Sequence, residues 1–262
     1  MTTETTGLYR LLAWASPAFP TGAFSYSHGL EAAADDGAVH DRATLEAWIA
    51  ATIAYGSGRV DADILRDAWR AASDDDDVAL AEANRRGCAY RATAELALES
   101  SQQGAAFMAA YEAAWSEHPH PPIASAMGPS LSREWERGHS SRRKTPLPLA
   151  GEGADGRSPE AGEGTCHAAV FGAAAAQAGV PLADALTAYL HAFAANLMSA
   201  GLRLGIVGQS DGQRILAALE RAVSATVTGS LARDMQDFGA ATFALDLASM
   251  AHETQYSRLF RS

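Results

Sequence analysis

Lysine is nearly absent from this chain. Lys144 is the single one, and basic residues number 20 against 31 acidic ones, for a net charge of −11. A surface of that sign lacks the positive footprint that nucleic acid requires, so no nucleic-acid role is expected and a charged partner should be basic. Cysteine is as scarce: Cys88 and Cys166 are too few for a disulfide framework, which points to a reducing cytoplasm. Residues 1–8, MTTETTGL, hold neither a basic start nor an apolar run, so no leader is expected there. β-Branched residues are sparse beside alanine, and no convincing strand can be found. The most apolar stretch, Ala168 to Leu202, is interrupted by Pro181, Asp184, His191 and Asn196. It reads as buried helices and not as a membrane span.

Catalytic motifs are missing too. The nearest approach to a phosphate-binding loop is GHSSRRKT, Gly138 to Thr145, where Arg143 occupies the position that needs glycine. HETQY, from His252, begins like a zinc-protease motif but places Tyr256 where the second histidine ligand belongs. There is no G-x-S-x-G elbow, no Cys-x-x-Cys pair and no dinucleotide fingerprint. The chain is therefore not expected to be an enzyme, and no stably bound cofactor is expected.

What is present is helical periodicity in a chain of 262 residues, 48% of them apolar. Leu182, Leu186, Leu190, Phe193 and Leu197 recur at helical spacing behind Pro181, which can open a helix. Leu45, Trp48, Ile49, Thr52 and Ile53 form a stripe after Asp41, and Ile215, Leu216, Leu219 and Val223 form another after Asp211, each aspartate being placed to cap its helix. Ser73 followed by Asp74, Asp75 and Asp76 is a further start signal. Leu96, Phe107, Met108, Tyr111 and Trp115 extend one more helical tract. The expected fold is all-α, a single compact multi-helix bundle over residues 1–262. Within it, residues 118–165 hold most of the prolines and the repeated AGEG, and are read as a disordered insertion. His118 and His120 in that insertion, with Cys166 and His167 beside it, are weak candidates for nickel or zinc ligands; solvated histidines are the plainer reading. Cys88 and His191 are read as packed core residues, and Asn196 as a buried hydrogen-bonding group.

One segment resists the periodic pattern. SPAFPTGAFSYSHGLEAA, Ser16 to Ala33, combines Pro17 and Pro20, which fix φ, with Gly22 and Gly29, which permit turns or close approach. Phe19 and Phe24 are expected to fill the core. Tyr26, Ser27, His28 and Glu31, polar groups beside a rigid turn, suit directional contacts with a partner. Residues 252–262 form a second unusual segment, because Gln255, Tyr256, Arg258, Leu259, Phe260 and Arg261 alternate apolar anchors with arginines where a terminus is usually polar. Composition leaves docking on a partner and packing on the chain itself at even weight.

Leu11 to Glu31, Val170-Phe171-Gly172, Leu190 to Leu204, GQSDGQR from Gly208 to Arg214, and Leu245 to Ser262 together resemble the urease accessory protein UreF family. The departure is the insertion, which is longer than that family's usual connection. The resemblance implies an all-helical, usually dimeric cytoplasmic adaptor that joins UreD (also called UreH) and the GTPase UreG on apo-urease. In it, nickel is cargo and GTP belongs to UreG. It further implies that Tyr26, Ser27, His28 and Glu31 meet UreG or the second subunit. Gln213 and Arg214 would lie near a subunit boundary, and the tail, with His252, Glu253, Gln255, Tyr256, Arg258, Leu259 and Phe260, would dock to UreD. The alternatives from other classes are a stand-alone nickel carrier and a helical metal-dependent enzyme.

Overall fold

A computed structural model describes residues 3–115 and 164–262, and every regular element among them is a helix. The first half holds α1 (Thr3–Trp14), a 3-10 turn (Ala23–Ser25), α2 (Leu30–Asp35), α3 (Arg42–Tyr55), α4 (Ser57–Ser73), α5 (Asp77–Ala89) and α6 (Ala94–Ala114). The second half holds α7 (His167–Gln177), α8 (Leu182–Arg203), α9 (Gln209–Ala232), a 3-10 turn (Met235–Asp237) and α10 (Phe243–Glu253). The insertion expected over 118–165 lies outside the described residues except for its last two, and there its boundary needs correction. The Gly164 carbonyl accepts from the Asn84 side chain at 2.9 Å, and Thr165 is buried against α6.

Local chemistry sets several helix starts. Asp41 closes a capping box, its carboxylate accepting from the Thr44 amide at 2.8 Å while the Thr44 hydroxyl accepts from the Asp41 amide at 3.0 Å. Asp76 caps α5 through the Ala79 amide at 2.9 Å, so the start signal at Ser73 resolves three residues later, and Ser73 itself ends α4. Asp211 does not cap α9. Gly208 occupies that place, and Asp211 lies within the first turn, where its carboxylate suits the positive helix end and pairs with Arg214 at 2.7 Å.

The core forms around α4 and α7, which share the most extensive helix contact. From Ala168 to Ala175 every residue of α7 is buried, so alanine and glycine allow the two backbones to come close. Gly172 lies against the Leu65 carbonyl, where an added Cβ would stand only 2.4 Å from the oxygen. The leucine and isoleucine stripes of α3, α8 and α9 surround this pair: Leu45, Ile49, Ile53, Leu186, Leu190, Leu197 and Ile215 are sealed from solvent. Charged groups then tie α9 to α4. Arg233 grips both carboxylate oxygens of Asp63 at 2.6 and 2.7 Å, and Arg66 donates to the carbonyls of Ser230 and Arg233 at the end of α9. Cations at a helix C-terminus are favoured by its dipole, and full hydrogen bonding offsets the cost of burying them.

One sequence expectation fails here. His191 is exposed, not packed, because it falls on the outward side of α8. Among the described residues, the helix long and apolar enough to cross a membrane is α9 and not the Ala168–Leu202 stretch, yet its Ile215, Leu219, Val223 and Val227 are buried in the bundle.

Candidate partner-binding site

The opening segment is held by its backbone. Gly22 and Gly29 adopt φ of 72° and 73°, and His28 joins them at 55°, a region that side chains with a Cβ enter at a cost. At Gly29 space as well as conformation demands glycine, since a Cβ would lie 2.7 Å from the Ser249 amide nitrogen of α10. Phe19 packs on Phe107 with ring centres 5.0 Å apart, as expected. Phe24 is a correction: it is 64% exposed, because the 3-10 turn that carries it buries none of its residues.

The tail returns to this segment. The Arg261 amide donates to the Ser25 carbonyl at 2.8 Å, and the Ser27 amide donates to the Ser262 carbonyl at 2.5 Å. Glu31, buried in the first turn of α2, accepts the amides of Leu259 and Phe260 at 2.6 and 2.9 Å. Its carboxylate also meets His252 Nε2 at 3.1 Å, while His252 Nδ1 lies 2.6 Å from Glu95 of α6. Arg258 pairs with the same Glu95, and Gln255 donates to Asp35 at 2.5 Å. Phe260 is buried beneath the Arg203 guanidinium, 4.2 Å from its ring centre. Glu253 accepts from the Ala94 amide in the first turn of α6 at 2.9 Å, beside the Thr93 cap. A stretch of polar groups thus supplies the backbone partners that an irregular segment cannot supply itself.

Next to this junction lies a second polar group. Glu99 of α6 accepts from the Ser262 hydroxyl at 2.9 Å and from Gln103 at 2.8 Å, and burial above all pushes its carboxyl up to about 8, despite those hydrogen bonds and the nearby Arg91. His28 Nδ1 stands 3.2 Å from Glu99 without an aligned hydrogen bond, and burial pulls its imidazole down to about 4. Tyr26, whose hydroxyl donates to Gln102 at 2.6 Å, is raised first by burial and then by Glu99.

The structure therefore gathers Tyr26, Ser27, His28, Glu31, His252, Glu253, Gln255, Arg258, Leu259 and Phe260 at one junction. The polar atoms of Ser27, Glu31 and His252 are bound within the chain and face away from solvent. Gln213 and Arg214 are not part of it. They are exposed at the start of α9, beside Arg42 of α3, which reaches Asp211 at 3.9 Å. His118 and His120 lie outside the described residues. Cys166 and His167 enter different surroundings: the Cys166 thiol accepts from Arg91 at 3.1 Å, whereas the His167 ring lies among Phe107 and Tyr189 at 5.7 and 5.3 Å. Among the described residues no three metal-ligating side chains converge. Cys88 packs against the core as expected, its thiol pushed up to about 12, chiefly by burial. Sequence reasoning missed Glu95, Glu99, Asp35 and Arg203, because an acid or arginine on a helix gives no local sign that a distant segment will cover it.

Outside the junction, α10 turns an apolar face to solvent. Phe243, Leu247 and Met250 fall at i, i+4 and i+7, with Phe243 77% exposed, while Ser249 and His252 face inward. On the tail that follows α10, Tyr256 is fully exposed and Leu259 is 62% exposed.

The described residues thus form an all-helical bundle that anchors its tail with buried charges and leaves an apolar helix face outside, the kind of exposed surface that in general marks contact sites. The UreF family model matches residues 39–220. The chain is 41% identical to the urease accessory protein UreF of Granulibacter bethesdensis over 99% of its own length and 97% of that protein's. It is 41% identical to that of Rhodopseudomonas palustris strain BisB18 and 39% to that of Bradyrhizobium diazoefficiens, covering 99% of this chain and 93% of the relative in both cases. The chain belongs to the UreF family of urease accessory proteins, and its role is that of an accessory factor supporting urease maturation.

Proposed function

We propose that the chain is the adaptor that bridges UreD (UreH) and the GTPase UreG on apo-urease, so that nickel is inserted into the urease active site at the cost of GTP. It acts in the cytoplasm as a homodimer, modulates GTP hydrolysis by UreG, and carries no stably bound cofactor of its own. Nickel is the cargo of the complex, and GTP is held by UreG.

The observation that carries this reading is the exposure of Phe243, Leu247 and Met250 on α10 and of Tyr256 and Leu259 on the tail that follows it, whose backbone is held by Glu31. Exposed aromatic and aliphatic side chains of this kind have the composition of interface hot spots. UreD is assigned to this surface. Gln213 and Arg214, exposed on another part of the bundle, are assigned to the second subunit.

Deleting the tail is a poor test, because it would uncover Phe260's pocket and the carboxylates of Glu31 and Glu95. The sharper test is the double variant Tyr256→Ala, Leu259→Ala, combined with Phe243→Ser. Helicity should be unchanged and co-purification with co-expressed UreD should be lost; a variant that still co-purifies with UreD at the parental level refutes the assignment.

A further inference from the structure

Beneath the opening segment lies a cavity of about 620 Å³, within the range of small-molecule sites. Its walls are aromatic: Phe19, Phe24, Phe171, Phe193 and Tyr189 contribute rings. Its ionisable lining is unbalanced, with the carboxyls of Asp61, Glu99 and Asp246 against the single guanidinium of Arg91. Asp61 is already matched, lying 2.8 Å from Arg91 and accepting from the Tyr189 hydroxyl at 2.9 Å. Glu99 has no cation of its own. His28 borders the same space, with its side chain only 10% exposed and its Nδ1 without a hydrogen bond. A buried polar atom left unpaired costs stability, so a position that keeps one, on a residue at positive φ, calls for a ligand that completes it.

We infer that this cavity binds a small planar organic cation of amidinium or guanidinium type, seated among the rings and donating to the Glu99 carboxylate and to His28 Nδ1. Aromatic faces favour such a cation, and a carboxylate accepts two parallel N–H donors from it. The inference does not depend on the adaptor reading, because it concerns the isolated chain.

The charge state gives the proposal a signature. His28 and His167 are both held down to about 4 and stay neutral near neutral pH, Tyr189 and Asp246 are pushed up, and Asp61 stays paired with Arg91. Glu99, held up to about 8, is the group that changes between about pH 7 and about pH 9. A bound cation should expel its proton, so affinity should rise about tenfold over that interval.

The test is calorimetric titration of the full chain with benzamidine, benzamide and benzoate, which share a shape and differ in charge. Benzamidine should bind at one site per chain and about tenfold more tightly than benzamide, with benzoate weakest. Glu99→Gln, which keeps acceptor and shape, should remove that advantage and its rise with pH while circular dichroism stays parental. His28→Asn, a residue tolerant of positive φ, should weaken binding of benzamidine. Equal affinity for benzamidine and benzamide would overturn the proposal. So would benzamidine binding that is unchanged in Glu99→Gln, since the cation would then sit on the acidic surface elsewhere.

Discussion

The crossing of α4 and α7 and the junction between tail and opening segment are both buried contacts between distant parts of the chain, built from opposite materials. At the crossing, alanine and glycine remove side chains so that two backbones meet, and the helices have already paired their own amides. At the junction, the tail brings amides and a carbonyl without helical partners, so Glu31 and Ser25 must accept from the amides and Ser27 must donate to the Ser262 carbonyl. The first contact depends on volume and the second on hydrogen-bond completeness. Damage to the first should therefore unfold the bundle, whereas damage to the second should free the tail.

The largest effect should follow a change in volume. Gly172→Val would force a Cβ against the Leu65 carbonyl and cost about 3 kcal/mol or more, read as loss of cooperative thermal unfolding or of soluble protein. A soluble variant with parental Tm would break the comparison. Next comes Glu31→Ala, which takes the acceptor from the Leu259 and Phe260 amides and from His252 Nε2, at about 1–3 kcal/mol in all because the freed tail regains water as its partner. Here helicity should persist while limited proteolysis cuts the chain near Tyr256. Global unfolding would show that the junction belongs to the same cooperative unit as the core.

A smaller effect should appear with pH. Glu99 is raised from 4.5 to about 8 by burial, so the folded state binds the extra proton, and this stabilising contribution is lost as pH rises through about 8. His28 and His167 are lowered from 6.5 to about 4, so their contribution is present above 6.5 and lost as pH falls through about 4. Tm should peak near pH 6.5 and fall by roughly 2–4 °C towards pH 8. Glu99→Gln should flatten the alkaline side; a parental decline in that variant would remove Glu99 as the cause. Smallest of all, Tyr256→Ala with Leu259→Ala should move stability by about 0.5 kcal/mol or less, because both side chains are exposed, even where UreD capture is lost.

Much of the fold was legible because its signals are local. The capping box at Asp41, Pro181 ahead of α8 and the leucine spacing behind it each act within a few residues. Errors arose where local signals were equivocal. Asp211 sits close enough to the start of α9 to resemble its cap, and His191 shares a helix with a buried stripe while facing outward. Phe24 looked like core because aromatic residues usually are, yet the turn at Gly22 carries it outside. For the candidate site, the unusual composition of Ser16 to Ala33 and of the tail marked both segments, but nothing in either announced that they would meet.

The amino-acid sequence by itself determined the helices, the stiffness of the opening segment and the family, since propensity, capping and backbone restriction act over one or two turns. Tertiary structure alone decided that Glu31 and His252, separated by 221 positions, share a hydrogen bond. It likewise decided that Glu99 would be held protonated and that Tyr256 would remain in solvent. A carboxylate's partners, charge state and exposure depend on what folding brings within a few ångströms of it, and no short window of sequence contains that neighbourhood.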